Sequence, residues 1–187
     1  MSEVNLFAAI PPLQASSSLR DSIELDGSLG LAANSEFSRA VWMVGPILSD
    51  FWRRYKGKIT LIAGAELDAD AEAGLKGYLD FIIGKAPHQH IINAPIMVIV
   101  EAKRDNITDG FGQCIAGMVG AQRFKRRTNK AIESIYGCIT TGSSWRFLQL
   151  TGQSITVDVK EYASGDFEKI LGILTYIVGP VPEAIAA

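Results

Sequence analysis

The chain is poor in cysteine: there are two, Cys114 and Cys138, and no Cys-x-x-Cys pair. That spacing excludes the usual zinc-ribbon and dithiol redox motifs, and the apolar neighbours of both thiols read as small buried hydrophobes in a reducing cytosol. No basic-then-apolar leader opens the sequence. Its longest hydrophobic stretch, residues 91–100, is interrupted by Asn93 and Pro95 and is about half the length of a membrane-spanning helix. These absences set the expectation of a cytoplasmic protein without a membrane partner. An excess of one charge is also lacking, since 18 Lys and Arg stand against 20 Asp and Glu for a net −2 at pH 7. No global field draws nucleic acid, so any such attraction has to come from local basic clusters. No Gly-x-Ser-x-Gly elbow, Walker loop, dinucleotide glycine fingerprint, His-Glu-x-x-His pair or internal repeat is present.

What is there suits one soluble domain around one core: 187 residues, 48% hydrophobic and 20% charged. Residues 1–34, with Pro11-Pro12 and Ser16-Ser17-Ser18, read as an irregular arm or short hairpin. Residues 35–187 read as the domain itself. Ser35 is a candidate N-cap, with Glu36 in the first helical turn. Phe37, Val41, Val44, Ile47, Leu48, Phe51 and Trp52 recur at helical spacing, which predicts a helix to about Tyr55, kinked or split at Pro46. Strands are predicted over 59–66, 77–83 and 96–101, the last two as a hairpin, with 68–72 as an acidic surface loop. A helix over 108–127 follows, then strands over 134–141, 145–150 and 154–159, and a closing amphipathic helix over 166–178. This order predicts an α/β fold with a mixed central sheet flanked by helices.

The most informative segment is Val98-Ile99-Val100-Glu101-Ala102-Lys103, preceded by Leu79-Asp80-Phe81-Ile82-Ile83. Both are apolar strand patterns carrying charge, and an ionised carboxylate in a core is costly without compensation. Side chains alternate along a strand, so Glu101 and Lys103 point one way and Ala102 the other. An acid and a base on one face, with an aspartate on a neighbouring strand, make a place for a divalent cation. A solvated strand end with an ordinary ion pair is the plainer alternative.

Asp80, the Glu101-Ala102-Lys103 strand end and a following helix that carries Gln113 together resemble the PD-(D/E)XK nuclease superfamily. The segment Ile139-Thr140-Thr141-Gly142-Ser143-Ser144-Trp145-Arg146-Phe147 is similar to the hairpin of restriction-endonuclease-like domains and of type I restriction subunit N-terminal nuclease domains. The resemblance covers residues 36–150, and it departs from the pattern at Leu79, which stands in place of a proline that many members also lack. It implies a restriction-endonuclease-like fold and an endonuclease acting on DNA, with RNA the lesser alternative. It implies Mg²⁺ or Mn²⁺ held by Asp80, Glu101 and the Ala102 carbonyl, with Glu36 as a further candidate ligand. Lys103 becomes the catalytic cation and Gln113 a contact to water or phosphate. A module of the same fold that binds or scaffolds without cleaving is the competing expectation.

Around this core lie weaker signals. Glu66 and Asp68 read as loop acids, and His88 and His90 as a solvated turn lacking a third soft ligand. Basic clusters at Arg53, Arg54, Lys56 and Lys58 and over residues 123–127 read equally as helix C-terminal charges or as phosphate contacts beside the site. Trp145 reads as core, with Arg146 beside it. The stripe Phe167, Ile170, Leu171, Leu174, Ile177 and Val178 serves either the core or a homodimer interface.

Overall fold

The computed structural model describes residues 1–70, 75–85, 96–128 and 133–181. Strand β1 is Ser2–Val4, and helix α1 spans Ser17–Ala32. Helix α2, Glu36–Arg39, runs through a π-helical turn, Ala40–Val44, into α3, Gly45–Arg54. Strands β2 (Thr60–Asp70), β3 (Leu75–Gly84) and β4 (Ile96–Ala102) follow. A 3₁₀ turn, Ile107–Gly110, then leads into α4, Phe111–Thr128. Strands β5 (Ser134–Thr140), β6 (Ser144–Thr151) and β7 (Ser154–Ala163) precede α5, Phe167–Val178.

The strands form one mixed sheet in the order β1-β7-β6-β5-β4-β3-β2. Pairing is antiparallel except for β4 with β5 and β1 with β7. The expected α/β class and central mixed sheet are therefore present, with α4 as the crossover that parallel β4 and β5 require. Helix α4 covers one face through Cys114, Met118 and Ala121, against Leu79, Ile82, Ile99 and Ile139. Helices α1, α3 and α5 cover the other with Leu19, Ile47, Leu48, Phe51, Ile170 and Leu174. Small residues set the spacing on the α4 side. A Cβ on Gly117 would lie 2.9 Å from Leu79 Cδ2, and one on Gly137 would lie 2.5 Å from Met118 Sδ.

The first 34 residues are not an irregular arm. Ser16 caps α1 by accepting from the Leu19 N–H at 3.1 Å, and its hydroxyl donates to the buried Asp50 carboxylate on α3. Phe7 and Leu19 are core residues. The ammonium of Lys169 on α5 donates to the carbonyls of Phe7, Ala8 and Ile10, which pins the segment ahead of α1.

The predicted 35–55 helix is present, but its stripe is broken by the π-helical turn. Proline 46 has no N–H to give the carbonyl one α-turn back, and the Gly45 N–H reaches Ala40 instead, five residues away. The extra residue rotates the two halves against each other. Val44, Ile47, Leu48 and Phe51 are buried, whereas Phe37 is 80% exposed and Val41 is also outside. The expected 68–72 loop is corrected over residues 68–70, because β2 continues to Asp70, while residues 71 and 72 lie outside the described residues; Ala65, Leu67 and Ala69 alternate inward against exposed Glu66 and Asp68. Apart from half-buried Phe167, the α5 stripe that suggested a dimer face is buried in this chain's own core. None of the described helices is long and apolar enough to cross a membrane.

Candidate metal and phosphate site

Strand β4 is apolar and buried until Glu101, so its carboxylate enters the protein on a rigid element. The β3–β4 ladder runs Ile83↔Val98, Ile82↔Ile99 and Phe81↔Val100. The ladder stops there, and one residue further along each strand Asp80 and Glu101 bring their carboxyl groups together on one face. That face belongs to α4, since Ile99, two residues before Glu101, packs there.

Asp80 reaches this position through a local irregularity. Ile82 and Leu79 both pack on the α4 side, as do Ile62 and Ala65 of β2. Strict alternation forbids an odd separation on one face, so the β2–β3 ribbon turns over by one step between them. Gly64, opposite Asp80, carries φ +63° and takes up the turn. The Asp80 side chain then fills a place a strand carbonyl would otherwise hold, with Oδ2 accepting the Ala102 N–H at 2.8 Å.

Glu101 is fully buried, and neither carboxyl oxygen has a hydrogen-bond partner among the described residues. Burial, then the Asp80 charge, pushes its pKa from 4.5 up to about 8; Lys103 opposes this, while the close approach of the Asp80 carboxyl and the Glu36 charge add to it. The metal-free site therefore holds a proton at neutral pH. Lys103 follows on the same face, its backbone N–H donating to the Thr140 carbonyl at 2.7 Å. Its Nζ donates to Gln113 Oε1 at 2.9 Å, and the Gln113 amide reaches back to the Tyr78 carbonyl at 3.4 Å. The sequence reading missed Gly110: a Cβ there would lie 2.5 Å from Ile139 Cγ2 and 3.2 Å from Lys103 Cγ, so glycine lets the 3₁₀ turn pack against β5 and the lysine stem.

Glu36 stands at the mouth. It is exposed and lines a cleft of about 360 Å³ with Asn34, Lys103, Arg104, Asp105 and Asp109. Among the described residues no three His, Cys, Asp or Glu groups converge as a complete cage, and the Glu36 charge adds to the upward shift at Glu101. Glu66 and Asp68 lie on β2, paired with Lys76 at 3.1 and 3.7 Å. His88 and His90 lie outside the described residues.

The basic clusters do not flank the site. Residues 53–58 precede β2, whose start pairs with Gly84 at the far end of β3 from Asp80. Arg54 is engaged by Asp50 at 2.7 Å and by the Gln14 carbonyl. Gln113 lies in the first turn of α4, so Arg123 sits on the order of 15 Å further along the axis. Trp145 is a core residue, while Arg146 is tied to Glu3, Glu161 and the Asp158 carbonyl.

An oxygen-only donor set with a buried, donor-less carboxylate fits a hard divalent cation. Mg²⁺ commonly takes one or two carboxylates and keeps several waters, so an incomplete protein cage is in keeping with it. Comparison with protein-family models, with curated proteins and with solved structures returns no significant match for this chain.

Proposed function

We propose that the protein is a Mg²⁺- or Mn²⁺-dependent nuclease that hydrolyses phosphodiester bonds of DNA, with a restriction-endonuclease-like fold. The observation that carries this reading is Glu101, a fully buried carboxylate without a donor beside Asp80 and two residues before Lys103. A structural ion pair does not account for it, because Lys103 points its ammonium at Gln113 rather than at Glu101. The likeness of Asp80, Glu101-Ala102-Lys103 and Gln113 to the PD-(D/E)XK pattern supports the same assignment.

When bound, the cation supplies Lewis acidity toward a phosphate oxygen and lowers the pKa of a coordinated water. Asp80, Glu101 and the Ala102 carbonyl would hold it. Loading requires Glu101 to release its proton. Lys103 presents a compact positive charge where charge builds on the phosphorus oxygens, already oriented before reaction. Gln113 fixes that ammonium through one hydrogen bond and keeps the α4 terminus in register with β3 through the other.

The test is digestion of plasmid and single-stranded DNA, with RNA in parallel, in EDTA, Mg²⁺ and Mn²⁺. Cleavage only with metal, lost in Asp80→Asn and Glu101→Gln, supports the proposal. Specific Mn²⁺ binding without cleavage of any polymer would leave the fold as a binding module.

A further inference from the structure

A groove of about 200 Å³ adjoins the site, between α4 and the half of β3 that precedes Asp80. Its floor is apolar, with Leu67 and Leu79 from the sheet and Ala116, Gly117 and Gly120 from the helix. Glycine is required at the back wall, because a Cβ on Gly117 would strike Leu79 and Ile99. The slot lies below the usual range of about 300–1,000 Å³ for drug-sized ligands, and its two apolar walls suit one flat ring system.

One edge of the groove is polar for a reason built into the sheet. The ladder to β4 begins at Phe81, whereas that to β2 extends back past Lys76. The β4-facing edge of β3 ahead of Asp80 therefore has no partner strand among the described residues. The Tyr78 carbonyl points along that edge, where it accepts from Gln113. In an antiparallel strand a residue's N–H and C=O point the same way and alternate residues repeat the direction. Tyr78 and Lys76 thus carry both donors and acceptors on the strand edge that borders the groove. The amide of Gln113 stands at the mouth and touches Lys103 with its other end.

We infer that this groove receives the unpaired base of the nucleotide adjoining the phosphate bound at Asp80, Glu101 and Lys103. The inference rests on the nuclease reading and names its substrate as single-stranded or locally unpaired DNA. Apolar walls grip the two faces of the base while a strand edge and an amide read its rim, which is how flipped bases are held. The connection through Gln113 ties the base to the phosphate it follows. Duplex tracking draws no support from the basic cluster at residues 53–58, which lies toward the other end of the sheet.

The test uses a short labelled single strand of oligodeoxythymidylate with Ca²⁺ in place of Mg²⁺, read by fluorescence anisotropy. An abasic residue is moved along the strand one position at a time. The intact strand is expected to bind roughly 5- to 150-fold tighter than the strand whose abasic residue falls in the groove, the range of a single base contact. Ala116→Phe, which fills the slot, should abolish that difference without changing Mn²⁺ affinity or binding of the abasic strand. Ala116→Leu should reduce it partway, guarding against a folding defect in the larger variant. A flat abasic scan, a preference for duplex, or an unchanged preference in a folded Ala116→Phe overturns the inference. Cleavage with a flat scan would remove the base groove and leave the nuclease. A clear base preference without metal-dependent cleavage would do the reverse.

Discussion

Replacing Glu101 with glutamine tests the site without relying on catalysis. In the folded, metal-free protein Glu101 titrates near 8, against an ordinary value of 4.5, chiefly through burial and the Asp80 charge. Below pH 4.5 the group is protonated in both folded and unfolded chains, so it adds no pH dependence. Between 4.5 and about 8 the unfolded chain has lost the proton and the folded one keeps it. Folding then takes up a proton, and stability falls as pH rises. Above 8 both states are ionised and the penalty is constant. At 1.36 kcal/mol per pH unit the gap sets an upper limit of about 5 kcal/mol. The Glu101→Gln variant has no proton to lose there, so in EDTA it should match wild type near pH 4 and exceed it progressively up to pH 8. Urea unfolding at pH 4, 6 and 9 reads the difference directly. Saturating Mn²⁺ should reverse the order at pH 9, because only wild type gains from binding the ion. A variant equal to or weaker than wild type at pH 9 in EDTA refutes the crowded, desolvated carboxylate.

Mn²⁺ affinity itself should strengthen with pH up to about 8 and then level off, as Glu101 gives up its proton; titration calorimetry in buffers of different ionisation enthalpy would report the released proton. Asp80→Asn keeps an acceptor for the Ala102 N–H and removes the facing charge, so metal-free stability should hold or rise. Asp80→Ala leaves that N–H unpaired and should cost about 1–3 kcal/mol by denaturant titration. Lys103→Ala should leave Mn²⁺ affinity nearly intact while removing turnover, and cleavage at the wild-type rate would dismiss Lys103 from the chemistry. Gly172→Ala places a methyl against the Pro11 carbonyl and should destabilise by about 1–3 kcal/mol, the usual range for overpacking.

The apolar runs around Asp80 and Glu101 were readable because strands buried on both faces show near-continuous hydrophobicity, and their hairpin register then followed. Helix α1 was not, since its serines and glycine mimic a loop and its exposed Leu25 and Leu29 blur the stripe; Leu19 and Gly30 alone face inward as fully buried positions. The end of β2 was hidden by charge, although Ala65, Leu67 and Ala69 keep period two between the acids. At the site, alternation predicted that Glu101 and Lys103 share a face. The turnover at Gly64 and the Lys103–Gln113 hydrogen bond depend on tertiary packing, and a linear pattern cannot express them. The distance from the basic clusters to the site was likewise invisible, because it depends on which end of the sheet each helix terminus reaches.

The widened turn at Ala40–Val44 has a consequence for how this entrance can vary. It acts as a vernier between two helical segments, letting the outer one choose its azimuth independently of the inner one. Deleting a single residue there would restore ordinary helical winding and swing Glu36 by about 100°, while the anchors Ile47, Leu48 and Phe51 stay seated. Length changes at this joint would thus re-aim the charge at the mouth of the cleft without rebuilding the interior.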